Sequence, residues 1–293
     1  MSDWPKDIVE WVEDGVRYLS VPFTWNLPEA KRRAVQSGFG YAATRIGGPA
    51  VDLMFAKNPG YFDSLGDVRI GGSVPALHRH NPIATRTSMG CPNRCGFCAV
   101  PITEPDFYPL DSWEVKPILC DNNFLALPLA HRANVYQSLS DAGLGGQVDF
   151  NQGLEAGKIT MFDALWLARL KAKVRFACDT PAMLPVVERA IKICRSAGIA
   201  KDRIYCYALI GWKDTPAQAW ERCRALESIG VTYVCPMWFH ELTALEYNAV
   251  TEEQTKLGWD AAARKHICGY YWKHRDSTKA SRGPLFTAES DGE

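Results

Sequence analysis

The chain has no net charge: its 33 Lys and Arg are matched by 33 Asp and Glu. Overall charge therefore gives no argument for a polyanionic partner, although a local basic patch is compatible with the balance. Also lacking is an uninterrupted apolar stretch long enough to span a bilayer. The first residues, MSDWPKDIVEWVEDG, place acids where a secretory leader needs a basic start and an apolar run. The expectation is a cytoplasmic protein with no membrane association. No internal repeat is visible beyond an alternation of strand-like and helix-like runs, and only one group of cysteines is closely spaced. In a reducing compartment the ten cysteines read as thiols or metal ligands, not as a disulfide framework.

The 293 residues, 47% of them hydrophobic, suffice for one large core and are too few for several independent domains. From about residue 80, short β-rich runs alternate with amphipathic ones, which predicts repeated β-α units and a mostly parallel sheet. The six strand candidates are PIATRTS, KPILCD, QVDFN, KVRFACD, RIYCYALI and TYVCPMWF. Between them LAHRANVYQSLSDAG, TMFDALWLARL, MLPVVERAIKICRSAG and TPAQAWERCRALESIG carry apolar residues at helical spacing, and Gly143, Gly198 and Gly230 supply helix stops. Five crossovers are needed, so PDFYPLDSWEV is expected to hold a first, less obvious helix. Residues 1–80 read as a small α/β appendage, with VRYLSVPFTW and YAATRIGGPAV as strands around the helix LPEAKRRAVQSG and a connector GGSVPALHRHNP. Residues 241–293 read as a helical C-terminal extension, with Thr251 and Gln254 in a capping box, ending in a polar tail.

The closely spaced cysteines lie in TSMGCPNRCGFCAVPI, where Cys91, Cys95 and Cys98 form C-x3-C-x2-C. A closed zinc site takes four ligands, usually as two separated pairs, and no fourth cysteine lies at a matching spacing; His78 or His80 keeps zinc open as an alternative. Thiolates suit iron–sulfur clusters, and three of them around a four-iron cube leave one iron free for chemistry.

With the aromatic Phe97 immediately before its last cysteine, this motif resembles that of the radical S-adenosylmethionine (SAM) superfamily. The resemblance spans roughly residues 80–240 and implies a partial (β/α)6 barrel. It also implies a [4Fe-4S] cluster on Cys91, Cys95 and Cys98, with Phe97 beside the cofactor. In that family the free iron chelates SAM, an external donor such as flavodoxin or ferredoxin supplies an electron, and the resulting 5′-deoxyadenosyl radical abstracts hydrogen from substrate. Further contacts are sought at the C-terminal ends of the strands. After the second strand, CDNNF offers Asp121, Asn122 and Asn123; it departs from the Gly-Gly-Glu of many members and is similar to the version in Elongator-type and cobalamin-associated ones. A carboxylate and amides suit the SAM ammonium. Asn151 and Gln152 follow the third strand, and Asp179 and Thr180 the fourth, as candidates for ribose hydroxyls or the SAM carboxylate. Asn151 and Gln152 are also compatible with a simple turn, and Asp179 and Thr180 with a helix cap. In YALIGWKDT, Ile210 and Gly211 match the family's adenine-contacting region, and Asp214 loosely meets its glutamate position.

Cys120, Cys178, Cys206 and Cys235 in strands, with Cys194 and Cys223 in helices, read as small buried hydrophobes. Residues 15–55 resemble a shortened cobalamin-binding domain without its Asp-x-His-x-x-Gly element, so cobalamin is not expected and a relic packed on the barrel is; Gly47, Gly48 and Pro49 read as a tight turn. In ARKHICGYYWKHRDSTKASR, the cations Arg264, Lys265, Lys273, Arg275, Lys279 and Arg282 are interleaved with Tyr270, Tyr271 and Trp272. That mixture suits stacking on bases and contacting phosphates, or alternatively an amphipathic covering helix. His240, after the sixth strand, is a candidate proton donor. The expected function is radical SAM hydrogen abstraction, with a nucleic-acid base or nucleoside as the leading substrate class. The alternatives are a cobalamin-dependent radical SAM methyltransferase and a non-enzymatic metal- or cluster-containing nucleic-acid-binding protein.

Overall fold

The computed structural model describes residues 7–36, 42–66, 68–70 and 76–273. Part of the GGSVPALHRHNP connector and the whole polar tail, with Arg275, Lys279 and Arg282, lie outside the described residues. The chain is a mixed α/β protein that divides into two compact units, neither continuous in sequence. The smaller takes residues up to Thr85, then Gly90–Phe107 and His240–Ala249; the larger takes Arg86–Met89, Tyr108–Phe239 and the residues from Val250 onward.

In the smaller unit a four-stranded sheet has the order β1-β2-β3-β4, formed by β1 (Val9–Glu13), β2 (Val16–Ser20), β3 (Ala43–Gly47) and β4 (Arg69–Ile70). The first pair is antiparallel and closed by Asp14 and Gly15, both at positive φ, as a two-residue hairpin turn requires. The other pairs are parallel. The sequence reading recovers β2 and β3 and passes over β1. The hairpin turn Asp14-Gly15 is the signal that marks β1. Helix α1 (Leu27–Val35) buries Leu27, Ala30 and Ala34, spaced for one face, and α2 (Pro49–Lys57) buries Ala50, Val51 and Met54, all in one apolar core with Leu19 and Ile46. Each such large apolar side chain contributes about 1.5–3 kcal/mol by leaving water. Arg17 stitches this layer, donating to Glu10 at 2.7 Å and to the carbonyls of Arg33 and Gln36 at the end of α1. Gly48, at φ +102, lies so close to the Val21 backbone that a Cβ would sit 2.9 Å from it, so the Gly-Gly-Pro segment is a tight structural turn.

The chain continues through the single-turn helix α3 (Leu77–His80) and the short strands β5 (Ala84–Thr85) and β6 (Ser88–Met89). The helix expected in PDFYPLDSWEV is absent. A single turn, α4 (Val100–Thr103), precedes that segment, and the segment itself is extended, with β7 (Tyr108–Pro109) antiparallel to β6. Pro105 and Pro109 explain the difference: each lacks a donor and forces its predecessor out of the helical region.

In the larger unit β8 (Ile118–Leu119), α5 (Leu129–Asp141), β9 (Asp149–Phe150), α6 (Met161–Arg169), β10 (Val174–Ala177), α7 (Leu184–Ser196), β11 (Ile204–Ile210), α8 (Pro216–Ser228) and β12 (Tyr233–Trp238) alternate as expected. Strands β8 and β9 pair in parallel, as do β10, β11 and β12; single parallel bridges, Asp149 to Lys173 and Leu154 to Phe176, join the two groups. The alternating burial of β11 sends Ile204, Cys206, Ala208 and Ile210 into the apolar core, where α8 packs, and Tyr205, Tyr207 and Leu209 to the opposite face. That opposite face is polar and aromatic. Arg175 makes two 2.6 Å bonds to Asp149 and lies over the Tyr205 ring, which stacks on Tyr233.

Helices α9 (Glu252–Lys256) and α10 (Ala261–Lys273) complete the unit. The predicted capping box at Thr251 and Gln254 is present. No helix among the described residues is long and apolar enough to cross a membrane.

Candidate functional site

Cys91, Cys95 and Cys98 occupy a loop of the smaller unit that leaves the chain at Gly90 and returns through α4. Cys95 is exposed, Cys91 and Cys98 are half-buried, and none forms a disulfide. The Cys98 amide donates to the Cys95 carbonyl at 3.1 Å, so the last two thiols sit on one turn with half-buried Phe97 between them. Among the described residues no group of three or more His, Cys, Asp or Glu side chains is drawn together as a metal site. The donor set itself, three uncrosslinked thiols within solvent reach, fits a soft metal or cluster. The zinc alternative is not supported by His80, whose Nε2 lies 2.9 Å from the Ser20 hydroxyl, nor by exposed His78.

The strand ends of the larger unit carry the other candidates. Asp121, just past β8, is buried; its Oδ1 accepts from the Thr87 amide and the Ser88 hydroxyl, both at 2.7 Å, while Oδ2 has no hydrogen-bond partner. Burial pushes its carboxyl up, opposed by Ser88, Thr87 and the Arg86 guanidinium. A carboxylate with one committed and one spare oxygen suits a cationic group. Asn122 is half-buried, and Asn123 is buried with its amide donating to Glu155 at 2.7 Å. After β9, the Asn151 carbonyl accepts from the Tyr207 hydroxyl at 3.1 Å, and Gln152 is exposed.

After β10, Asp179 is half-buried and its carboxyl is pushed up to about 6 by burial, against the lowering effects of Arg222 and the Leu209 amide. Thr180 precedes a short 3-10 turn without capping it through its side chain. Ile210 is core, so any contact from this strand end belongs to backbone. Gly211 stands at φ +81 with its carbonyl accepting from Gln254 at 2.9 Å and its amide donating to Asp214 at 2.8 Å. Asp214 also binds Arg222 at 2.7 Å, and its own carbonyl takes the Trp259 indole at 2.6 Å. Its role is to hold the turn.

His240 lies in the smaller unit within an aromatic cluster: its ring is 4.8 Å from Trp25 and stacks on Tyr247, and Trp25 stacks in turn on Phe23. On α10, Tyr270 and Tyr271 are buried against Trp220, and the Tyr271 hydroxyl meets Glu227. Of the two readings of this helix the covering one describes these tyrosines, which leaves them no face for a base. Arg264 lies over the Trp238 ring and Lys265 is exposed.

Cys120, Cys178, Cys194, Cys206 and Cys223 are buried as expected, and burial pushes the thiols of Cys120 and Cys194 up to about 12. Cys235 departs from expectation: it is half-buried, because the β12 alternation turns it to the polar face opposite Tyr207. Sequence reasoning also passed over Glu104, Ser88 and Arg175, whose partners lie 14, 33 and 26 residues away along the chain. No periodicity or motif signals contacts of that separation.

Compared with models of known protein families and with curated proteins, the chain matches none.

Proposed function

We propose that this chain is a radical SAM enzyme whose parallel strands form the partial (β/α)6 barrel of that superfamily, with Cys91, Cys95 and Cys98 holding a [4Fe-4S] cluster. The observation that carries the reading is the loop itself: three thiols in eight positions, none in a disulfide and all within solvent reach. Its support is the placement of polar side chains after successive parallel strands, Asp121 after β8, Asn151 after β9 and Asp179 after β10, where parallel α/β folds bind ligands.

Cluster and SAM, when bound, supply reductive cleavage and hydrogen abstraction; the protein supplies binding and orientation. Asp121 offers Oδ2 to the SAM ammonium while Oδ1 stays anchored by Thr87 and Ser88. A cation beside that carboxyl offsets the burial that raises it, so ligand binding and ionisation reinforce each other. Asn151 and Asp179 supply polar contacts to ribose hydroxyls or the SAM carboxylate, Asp179 in its protonated form for the latter. The proposed substrate class is a nucleic-acid base or nucleoside, and the electron comes from a flavodoxin- or ferredoxin-type donor.

The test is anaerobic: load the protein with iron and sulfide, add SAM and a strong reductant, and quantify 5′-deoxyadenosine with and without nucleic acid. The nucleoside should form, form faster with nucleic acid, and be lost in Cys98→Ala together with the visible absorbance. Absence of the nucleoside from cluster-loaded protein would sink the enzymatic reading; formation unaffected by nucleic acid would redirect the substrate to a free small molecule.

A further inference from the structure

The cysteine loop is an excursion between Gly90 and Phe107, and its neck is closed by contacts that no part of the cysteine motif explains. The Gly90 amide, one residue before Cys91, donates to the Glu104 carboxylate at 3.0 Å. Glu104 is fixed in turn by its own amide, which donates to the Val100 carbonyl at 2.8 Å and ends α4. Gly90 also stands at φ +68, with the place of a Cβ only 2.1 Å from the Asp106 carbonyl oxygen. The two ends of the excursion are thus pressed together, by a charge-assisted hydrogen bond on one side and a backbone approach open only to glycine on the other. Behind this neck α2 packs against α4, bringing Asp52 close enough to Glu104 for the Glu104 charge to add to burial in raising the Asp52 carboxyl.

We infer that Glu104 is a positioning residue for the cluster: by holding the Gly90 amide it fixes the departure of the chain into Cys91 and closes the loop that presents the three thiols. The inference rests on the radical SAM reading for the identity of the group held. The geometry of the neck stands on its own contacts. A positioning residue of this kind acts through the backbone of the loop, as outer partners of metal ligands do, and losing one typically weakens a bound metal by about 10- to 100-fold. Glu104→Gln keeps an acceptor at the same place, with a weaker neutral bond, and Glu104→Ala keeps none. Gly90→Ala opens the same neck from the other side.

The experiment uses the full chain as wild type, E104Q, E104A and G90A, each first checked for native circular dichroism. Cluster-free protein is followed by hydrogen exchange over residues 90–98; cluster-loaded protein is challenged with an iron chelator while visible absorbance and the electron paramagnetic resonance signal of the reduced cluster are recorded. E104A and G90A should exchange faster and lose iron about 10- to 100-fold more readily than wild type. E104Q should lie between wild type and E104A in both, nearer wild type, because the acceptor remains while the charge is lost. Unchanged exchange in E104A overturns the neck as a clasp, and E104Q behaving like E104A overturns the hydrogen bond as its cause. If E104A opens the loop but wild-type protein takes up no iron, the radical SAM reading fails, and the assignment of Glu104 to a cluster falls with it while the clasp remains.

Discussion

One carboxylate of the smaller unit and three of the larger are paired in opposite ways. In the smaller, Glu29 on α1 pairs with Arg32 and Arg33 one turn along its own helix, at the surface, where its carboxyl is lowered chiefly by the Arg33 hydrogen bond. In the larger, Asp163, Asp149 and Asp214 are buried and bind arginines from other elements: Arg132 on α5, Arg175 on β10 and Arg222 on α8. Surface pairs of the first kind contribute little because water competes for both ions. Buried pairs are fixed in geometry, and removing one partner leaves an isolated charge out of water. Against these satisfied acids, two at strand ends stand apart: Asp121 keeps an oxygen without a partner, and Asp179 is raised toward neutral pH. Function is sought where a buried carboxylate is left incomplete.

The largest effect should come from Asp163→Ala. Asp163 accepts from Arg132 at 2.5 Å and from the Tyr136 hydroxyl, and closes the capping box of α6 with Thr160. Its loss strands Arg132 and should cost about 3–5 kcal/mol, read as a lowered urea midpoint; a loss no greater than that of a surface pair would remove the distinction between the two kinds of pair. Next, Asp121→Asn keeps an oxygen for Thr87 and Ser88 but places an amide where Oδ2 stood. SAM affinity, read by calorimetry on folded, cluster-loaded protein, should fall about 10- to 100-fold, the value of a charged hydrogen bond. Unchanged affinity would show that Asp121 is only another structural acid.

A smaller effect is expected at Asp179. Its folded carboxyl holds a proton more tightly than the unfolded chain, so the contribution of that proton is present at low pH and is lost as pH rises from about 4 through about 6. Asp179→Asn should therefore melt above wild type at pH 7 and alongside it at pH 4; equal melting at both would mean that the acid carries no strain. Smallest of all, Glu29→Ala should leave the melting temperature unmoved at moderate salt, and a clear drop would show that the surface pairs matter after all.

Much of the larger unit was legible. The 3.6-residue spacing and terminal glycines of α7 and α8 are local signals, and both helices fall where that spacing puts them. The alternation of β11 is similarly plain, since a strand covered on one face must alternate. What failed was rhythm outvoted by local chemistry: Pro105 and Pro109 barred a helix that the β-α rhythm called for, and Asp14-Gly15 made a hairpin from a run read only as unlike a leader. The candidate site was legible only in part. Cysteine spacing and strand-end polar residues can be read in order along the chain, but the partners that decide what each residue does cannot. Asp121 meets Ser88 across 33 positions, Asn123 meets Glu155 across 32, and Tyr270 is buried by Trp220 from another helix. Such pairings follow from strand order and helix docking, which a linear reading does not supply.

Gly211 has a consequence for how this chain drifts over evolutionary time. Any Cβ at that position would lie 2.4 Å from the Trp238 ring, on a backbone at φ +81 that side chains rarely adopt. The same turn is bound through its carbonyl by Gln254 and through its amide by Asp214. A lineage cannot change residue 211 first, because the indole blocks it, and shrinking Trp238 first leaves a void beside Trp259, whose ring it meets edge-on. The two positions are locked as a pair. A change at Gly211 is therefore expected to need a compensating change at Trp238, a coupling read by comparing the single variants with the double one.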